Sequence, residues 1–308
     1  VRAAVLLEVN PAAAPVTKVH AILSNHFDAG CKTPGCGLRA PDEPDRCATV
    51  GILLPLHPSH TGEPWAYHIV NRYFDEFIPQ AIASAAAARA RGNGSYRYLI
   101  QPWLVSLYFD CDRAGMVSWP GSGFASVNMP VLHCPNKTAV AALEAALVRG
   151  DLFMQAFPHN AEAEAYPDVD LFRAALQTTF DVSDRLGIAR PTVVSQRDVP
   201  GWTRAALPVL AAAGVRGLSF GAGTPPGKPD TPAIFVWRDP ASGAEVVTTY
   251  ETAYGTASTV FVLPDGVAFA ACWAGDNTGP PTLEQADASL EQLRAKYPNA
   301  TVEASTFD

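Results

Sequence analysis

From Leu152 onward the chain repeats one pattern, a short apolar run followed by a longer amphipathic stretch, and this alternation limits the fold more than any other feature. Leu152–Phe157 reads as a strand, Asp168–Leu186 as a helix stopped by Gly187, and Thr192–Gln196 as the next strand. Thr203–Ala213 reads as a helix stopped by Gly214, and Gly217–Gly221 as a strand. Ala233–Arg238 and Ala244–Tyr250 flank Asp-Pro-Ala-Ser-Gly, a hairpin signal. Val267–Trp273 is a strand, Leu283–Lys296 a helix and Ala300–Ser305 a strand. Repeated β-then-α units mean parallel strands, because each helix carries the chain back to the starting edge. The pattern predicts an α/β barrel of about seven parallel strands in a single domain over residues 1–308.

The first half fits the same frame less regularly. Lys18–Ser24 reads as a buried strand, and a loop-rich insertion from Cys31 to about Glu63 follows, dense in Pro, Gly and Cys. Tyr67–Arg91 predicts one long helix, with Ile69, Tyr73, Phe77, Ile78 and Ile82 near helical spacing. Tyr96–Tyr108 reads as strand-like, and Thr138–Arg149 as a helix ending before Gly150.

Composition excludes several classes. At 308 residues and 48% hydrophobic the chain can build a core, which argues against disorder. Its most apolar runs are shorter than the roughly 20 residues of a membrane-spanning helix, so no span is expected. The net charge is −8 and the 22 Lys and Arg form no basic run, so no nucleic-acid groove is expected. No dinucleotide-binding glycine pattern, phosphate-binding loop or nucleophile elbow is present. The six cysteines show no C-x-x-C spacing and are read as loop disulfides or buried thiols. Three glycosylation triplets, at Asn93, Asn136 and Asn299, lean towards a secretory protein. The start lacks Met and a leader pattern, and reads as processed or truncated.

In parallel sheets, sites form at the carboxyl ends of the strands, so the residues that follow each strand carry the signal. After the first comes Asn25-His26-Phe27-Asp28, where His26 and Asp28 share one side of an extended chain and form a partial ligand set for a divalent metal, zinc first. Trp103 follows the second strand. His159, Asn160, Glu162 and Glu164 follow the third, and Asp198, Trp202 and Arg204 the next. Asp276 and Asn277 follow Val267–Trp273. Carboxylates, an imidazole–carboxylate pair and tryptophan faces gathered at one mouth fit carbohydrate chemistry, with sugar rings stacking on aromatic faces.

The first strand and its exit, His20 through His26-Phe-Asp28-Ala-Gly30, resemble the opening of glycoside hydrolase family 38, the α-mannosidases, in which a strand runs into H-x-D-x-G-W. Gly150-Asp151-Leu152, Asp198-Val-Pro-Gly201 and Thr301–Phe307 resemble later segments of that family's catalytic barrel in the same order. The resemblance implies a distorted seven-stranded barrel and a zinc ion held by His26, Asp28 and a nucleophilic carboxylate. It implies retaining, metal-assisted hydrolysis of an α-linked oligosaccharide or glycan. It also implies a further ligand histidine and C-terminal domains beyond Asp308. Cys31 stands where the family has Trp, and no D-E pair follows the third strand. Glu164 would then take the nucleophile role, with Glu162 and Asp198 next, while Glu251 and Asp276 are candidates for the acid/base. His159, Asn160, Trp103, Trp202 and Arg204 would line the substrate. A zinc-dependent polysaccharide deacetylase and a non-catalytic carbohydrate-binding module are the alternatives.

Overall fold

Strand β2 (Lys18–His26) is buried along nearly its whole length because it has neighbours on both edges and on both faces. Side chains alternate across it with period two. Val19, Ala21 and Leu23 join a helix-side core, while Ile22 turns the other way. The same alternation runs through its parallel neighbours β3 (Tyr98–Ile100), β4 (Leu152–Met154) and β10 (Val267–Asp276). Leu99, Phe153, Ala271 and Trp273 pack with Ile22 in an inner cluster, which Ile234 of the other sheet completes. These facts come from a computed structural model that describes residues 6–8, 15–27, 65–92, 94–111, 132–222 and 230–307. The insertion expected between Cys31 and Glu63 lies outside them, as do Asp28, Asn93, Cys31, Cys36 and Cys47.

Two sheets make up the scaffold. In one, β4, β3, β2 and β10 are parallel neighbours, with β9 (Val260–Val262) antiparallel on the edge of β10. β11 (Thr301–Ala304) pairs in parallel with the first half of β2. In the other, β5 (Val193–Arg197), β6 (Gly217–Gly221) and β8 (Glu245–Glu251) are parallel. β7 (Ile234–Arg238) forms the expected hairpin with β8, and β1 (Leu6–Glu8) lies antiparallel on β7. The sheets meet just past β4, where the Ala156 amide donates to the Val193 carbonyl at 2.8 Å. The parallel α/β arrangement thus agrees with the alternation, while no ladder joins β8 to β10 among the described residues.

Local chemistry explains the element boundaries. Asn136 caps α4 (Lys137–Val148) by accepting from the Ala139 amide at 2.9 Å. Asp168 caps α5 (Val169–Leu186) through the Asp170 and Leu171 amides, and Gly187, at φ 64°, ends it in the left-handed conformation. A reciprocal Thr282–Gln285 box starts α7 (Leu283–Lys296). The helix expected over Tyr67–Arg91 is split into α1 (Trp65–Arg72), one π turn (Tyr73–Phe77) and α2 (Ile78–Ala90). The extended reading of Tyr96–Tyr108 is corrected. Only Tyr98–Ile100 is strand, because Pro102, pre-set for a first helical turn, starts α3 (Pro102–Phe109). The helix expected from Thr203 begins later, as α6 (Ala206–Ala212).

Both cysteine readings occur among the described residues. Cys111 and Cys134 form a disulfide and Cys272 is a buried thiol, whose pKa burial pushes up to about 12. The disulfide closes a loop of sequence separation 23, for which the chain-entropy relation gives about 3 kcal/mol. Cys111→Ser is expected to lower the unfolding free energy by about that amount in urea titration, and reduced wild type should match the variant.

Candidate active site

The parallel strands end at a common mouth, and adjacent exits touch one another. The Asn277 amide donates to the His26 carbonyl at 3.0 Å, joining β10 to β2. The Trp103 amide, in the first turn of α3, reaches the Pro158 carbonyl beyond β4 at 3.4 Å. Asn160 clamps β5: its carbonyl oxygen accepts from the Arg197 amide at 2.7 Å and its Nδ2 donates to the Arg197 carbonyl. The Asp198 amide donates to the Gly221 carbonyl at 2.7 Å, and the Ala222 amide to the Glu251 carbonyl at 2.9 Å. Tyr254, past β8, stacks on His26 with ring centroids 4.7 Å apart. Contacts therefore lead from β2 through Tyr254 and β8, β6, β5 and β4 to α3, and Phe27 stacks on Trp103 at 6.0 Å.

Several expected residues lie at these strand ends. His26 is 4% exposed at the end of β2. A bulge between Ala274 and Asp276 sets Asp276 opposite His26 in register, so the backbone brings these two strand ends side by side. Asp198 immediately follows β5, is exposed, and has φ 59°, a left-handed conformation that a non-glycine residue adopts at a cost. His159 lies half-buried after β4, its Nδ1 2.6 Å from the Tyr166 hydroxyl. Desolvation lowers the His159 pKa and raises that of Tyr166 to about 12, so both are neutral at pH 7.

Others are placed as follows. Trp202 is 6% exposed and is no sugar platform. Its ring packs among Phe157, Phe172 and Phe220, and its Nε1 donates to the Ala161 carbonyl at 2.8 Å. Arg204 does not turn to the mouth but pairs at 3.3 Å with Asp239, in the turn joining β7 to β8. Glu164 lies on a single 3₁₀ turn (Ala163–Ala165) past β4 with Glu162 just before it, and both are exposed. Among the described residues no three His, Cys, Asp or Glu side chains group as metal ligands, and Asp28 lies outside those residues.

Other mouth residues escaped the sequence reading. Arg197 lies under the rim, its guanidinium 4.0 Å from the centre of the Trp273 ring across the inner cluster. Gln155, past β4, donates to the Gln101 side chain at 2.9 Å and accepts from the Ser195 amide. The available signal was Ser195-Gln196-Arg197, polar side chains at the end of an otherwise apolar strand.

No protein-family model matches this sequence. No curated protein matches it either. Among solved structures it is similar to an α-mannosidase from Enterococcus faecalis V583, at 10% identity and a TM-score of 0.56, over 95% of this chain and 28% of that one. It is also similar to a 4-α-glucanotransferase from Thermococcus litoralis, at 8% identity and a TM-score of 0.47, over 94% of this chain and 37% of that one. The likeness is one of fold. The chain thus spans well under half the length of either neighbour.

The depressed pKa of His159 has a measurable consequence. As pH falls through about 6.5, the unfolded chain takes up a proton before the folded one, so stability present above that pH is lost towards the folded pKa. Burial also lowers the His20 pKa. The expected result is therefore a difference: thermal midpoints between pH 7 and pH 5 should fall less steeply in His159→Gln than in wild type.

Proposed function

We infer that the chain is a glycoside hydrolase-like enzyme acting on α-linked glycans at the mouth of its parallel strands. The reading is supported by the placement of Asp198, Asp276, His26, His159 and Asn160 at or just past the carboxyl ends of parallel strands. The likeness in fold to an α-mannosidase agrees with it.

In the proposed reaction, a carboxylate oxygen of Asp198 attacks the anomeric carbon while a second carboxylic acid protonates the departing glycosidic oxygen. That group, now a carboxylate, then takes a proton from water as the water oxygen attacks the anomeric carbon, breaking its bond to Asp198 and releasing the sugar with its configuration retained. Asp198 is the better nucleophile candidate than Glu164, because its backbone is held by the Gly221 carbonyl and by the Asn160 clamp on the preceding residue. Asp276 is the candidate for the second acid, through its register position beside β2. Glu251 is less suited, since its Oε1 is already engaged, accepting from the Thr252 amide at 2.7 Å and the Thr252 hydroxyl at 3.0 Å. Neutral His159 and Asn160 would hold sugar hydroxyls.

The described residues do not by themselves make up a zinc site, so no step runs through a metal. A zinc ion at His26 and Asp28 is a separate proposal, and bound there it would grip vicinal hydroxyls. Metal analysis should find about one equivalent in wild type and little in His26→Ala or Asp28→Ala; equal metal in all three ends it. The catalytic reading is tested with a panel of aryl α-glycosides, following the anomer first released by NMR. Release of the α anomer supports it. Binding without turnover by wild type favours a carbohydrate-binding module.

A further inference from the structure

Arg197 is a cation where a cation is costly. It is 4% exposed, and among the described residues it makes no ion pair. Removing such a charge from water is costly unless something compensates. Burial lowers its pKa to about 9, still high enough for the guanidinium to stay protonated at neutral pH. Glu251 acts on it through space, but that carboxylate is engaged with Thr252.

The guanidinium has five N–H groups in a planar fork. Nη1 donates to the Gln196 carbonyl at 2.7 Å and the Ser219 carbonyl at 2.9 Å, and Nη2 donates to the Ser219 hydroxyl at 3.1 Å. Ser219 thus spans the Nη1–Nη2 edge. The opposite edge is left, and its Nε–H is buried without an acceptor. The Nε–Nη2 edge is one that matches the two oxygens of a carboxylate. One face of the plane rests on Trp273, which fixes its orientation. Gly221 packs directly against it, and only glycine fits: a Cβ there would stand 2.7 Å from Arg197 Cδ and 3.1 Å from Nε.

We propose that the mouth takes a glycan carrying a carboxylate, a uronic acid residue, and that Arg197 is its specificity-determining residue, donating Nε–H and Nη2–H to the two oxygens. The proposal rests on the glycan reading above. It agrees with the chemistry of the sugar, in which the carboxylate-bearing carbon is separated from the anomeric carbon only by the ring oxygen. A group holding that carboxylate must therefore sit close to the group that attacks, and Arg197 and Asp198 are consecutive.

The test is calorimetric binding of methyl α-glycosides in pairs, each uronide against its neutral parent, in the gluco, galacto and manno series, with sodium acetate as a free carboxylate. For one series the uronide should bind at least tenfold more tightly than its parent and than acetate. Arg197→Gln should abolish that preference while still binding the parent, and Arg197→Lys should restore only part of it. The wild-type comparison decides even if Arg197→Gln fails to fold. Equal binding of uronide and parent in every series overturns this proposal and leaves the glycan reading intact. Acetate binding as tightly as the uronide reduces the site to a simple anion site and overturns it too. Binding of no glycoside overturns both.

Discussion

Asp198→Asn is expected to lower turnover of the best aryl α-glycoside by roughly 10⁴-fold, the scale seen when a single member of a catalytic set is removed. Asparagine has the shape of aspartate and tolerates the left-handed backbone that Asp198 adopts at φ 59°. The hydrogen bond that the residue 198 amide donates to the Gly221 carbonyl is made by the main chain and survives the change. Thermal stability and glycoside binding should therefore stay near wild type, while the attacking oxygen is lost. Glu164→Gln is the matched comparison. Glu164 is exposed on its 3₁₀ turn, and its replacement should leave turnover within about twofold, as expected for a surface change. The opposite pattern, with Glu164→Gln inactive and Asp198→Asn active, would assign the nucleophile to Glu164 and remove the argument from strand ends.

Trp202→Ala should destabilise the fold by about 4 kcal/mol, with a further loss of about 1 kcal/mol from the Ala161 carbonyl left without its donor. The indole lies 4.9 Å from Phe157 and 5.5 Å from Phe172, ring centre to ring centre, inside the core under the second sheet. Trp202→Phe keeps most of that packing and should recover most of the stability. Urea titration separates this role from the sugar-platform reading. A platform residue on the surface would change glycoside affinity and leave the unfolding midpoint where it was.

These two residues also mark where the sequence was readable. Strand exits were legible because hydrophobic periodicity locates strands and parallel topology turns their ends one way, which is how Asp198, Asp276 and His26 were singled out. Trp202 was misread because tryptophan after a strand suits a binding face and a core equally. Phe157, Phe172 and Phe220, distant in sequence, decide for the core. Arg197 was missed for the converse reason. It reads as an ordinary strand-end charge until Trp273 and Ser219 come to it from β10 and β6. Tyr96–Tyr108 was misread because a continuous apolar run lacks the alternation that tells strand from helix. Pro102 was the local clue.

The way β2 is shared between its neighbours has a kinetic consequence. Its first residues, Lys18–Ala21, pair with Thr301–Ala304, and its whole length pairs with Val267–Asp276. A chain emerging from the ribosome must therefore carry an apolar strand with both edges largely unsatisfied until these distant segments are made. Closing such a span costs loop entropy before any contact repays it, which slows folding and prolongs exposure to aggregation. Ribosome-bound nascent chains stalled ahead of Val267 should be cut readily by added protease near β2, and this sensitivity should disappear once residues past Ala304 have cleared the exit tunnel.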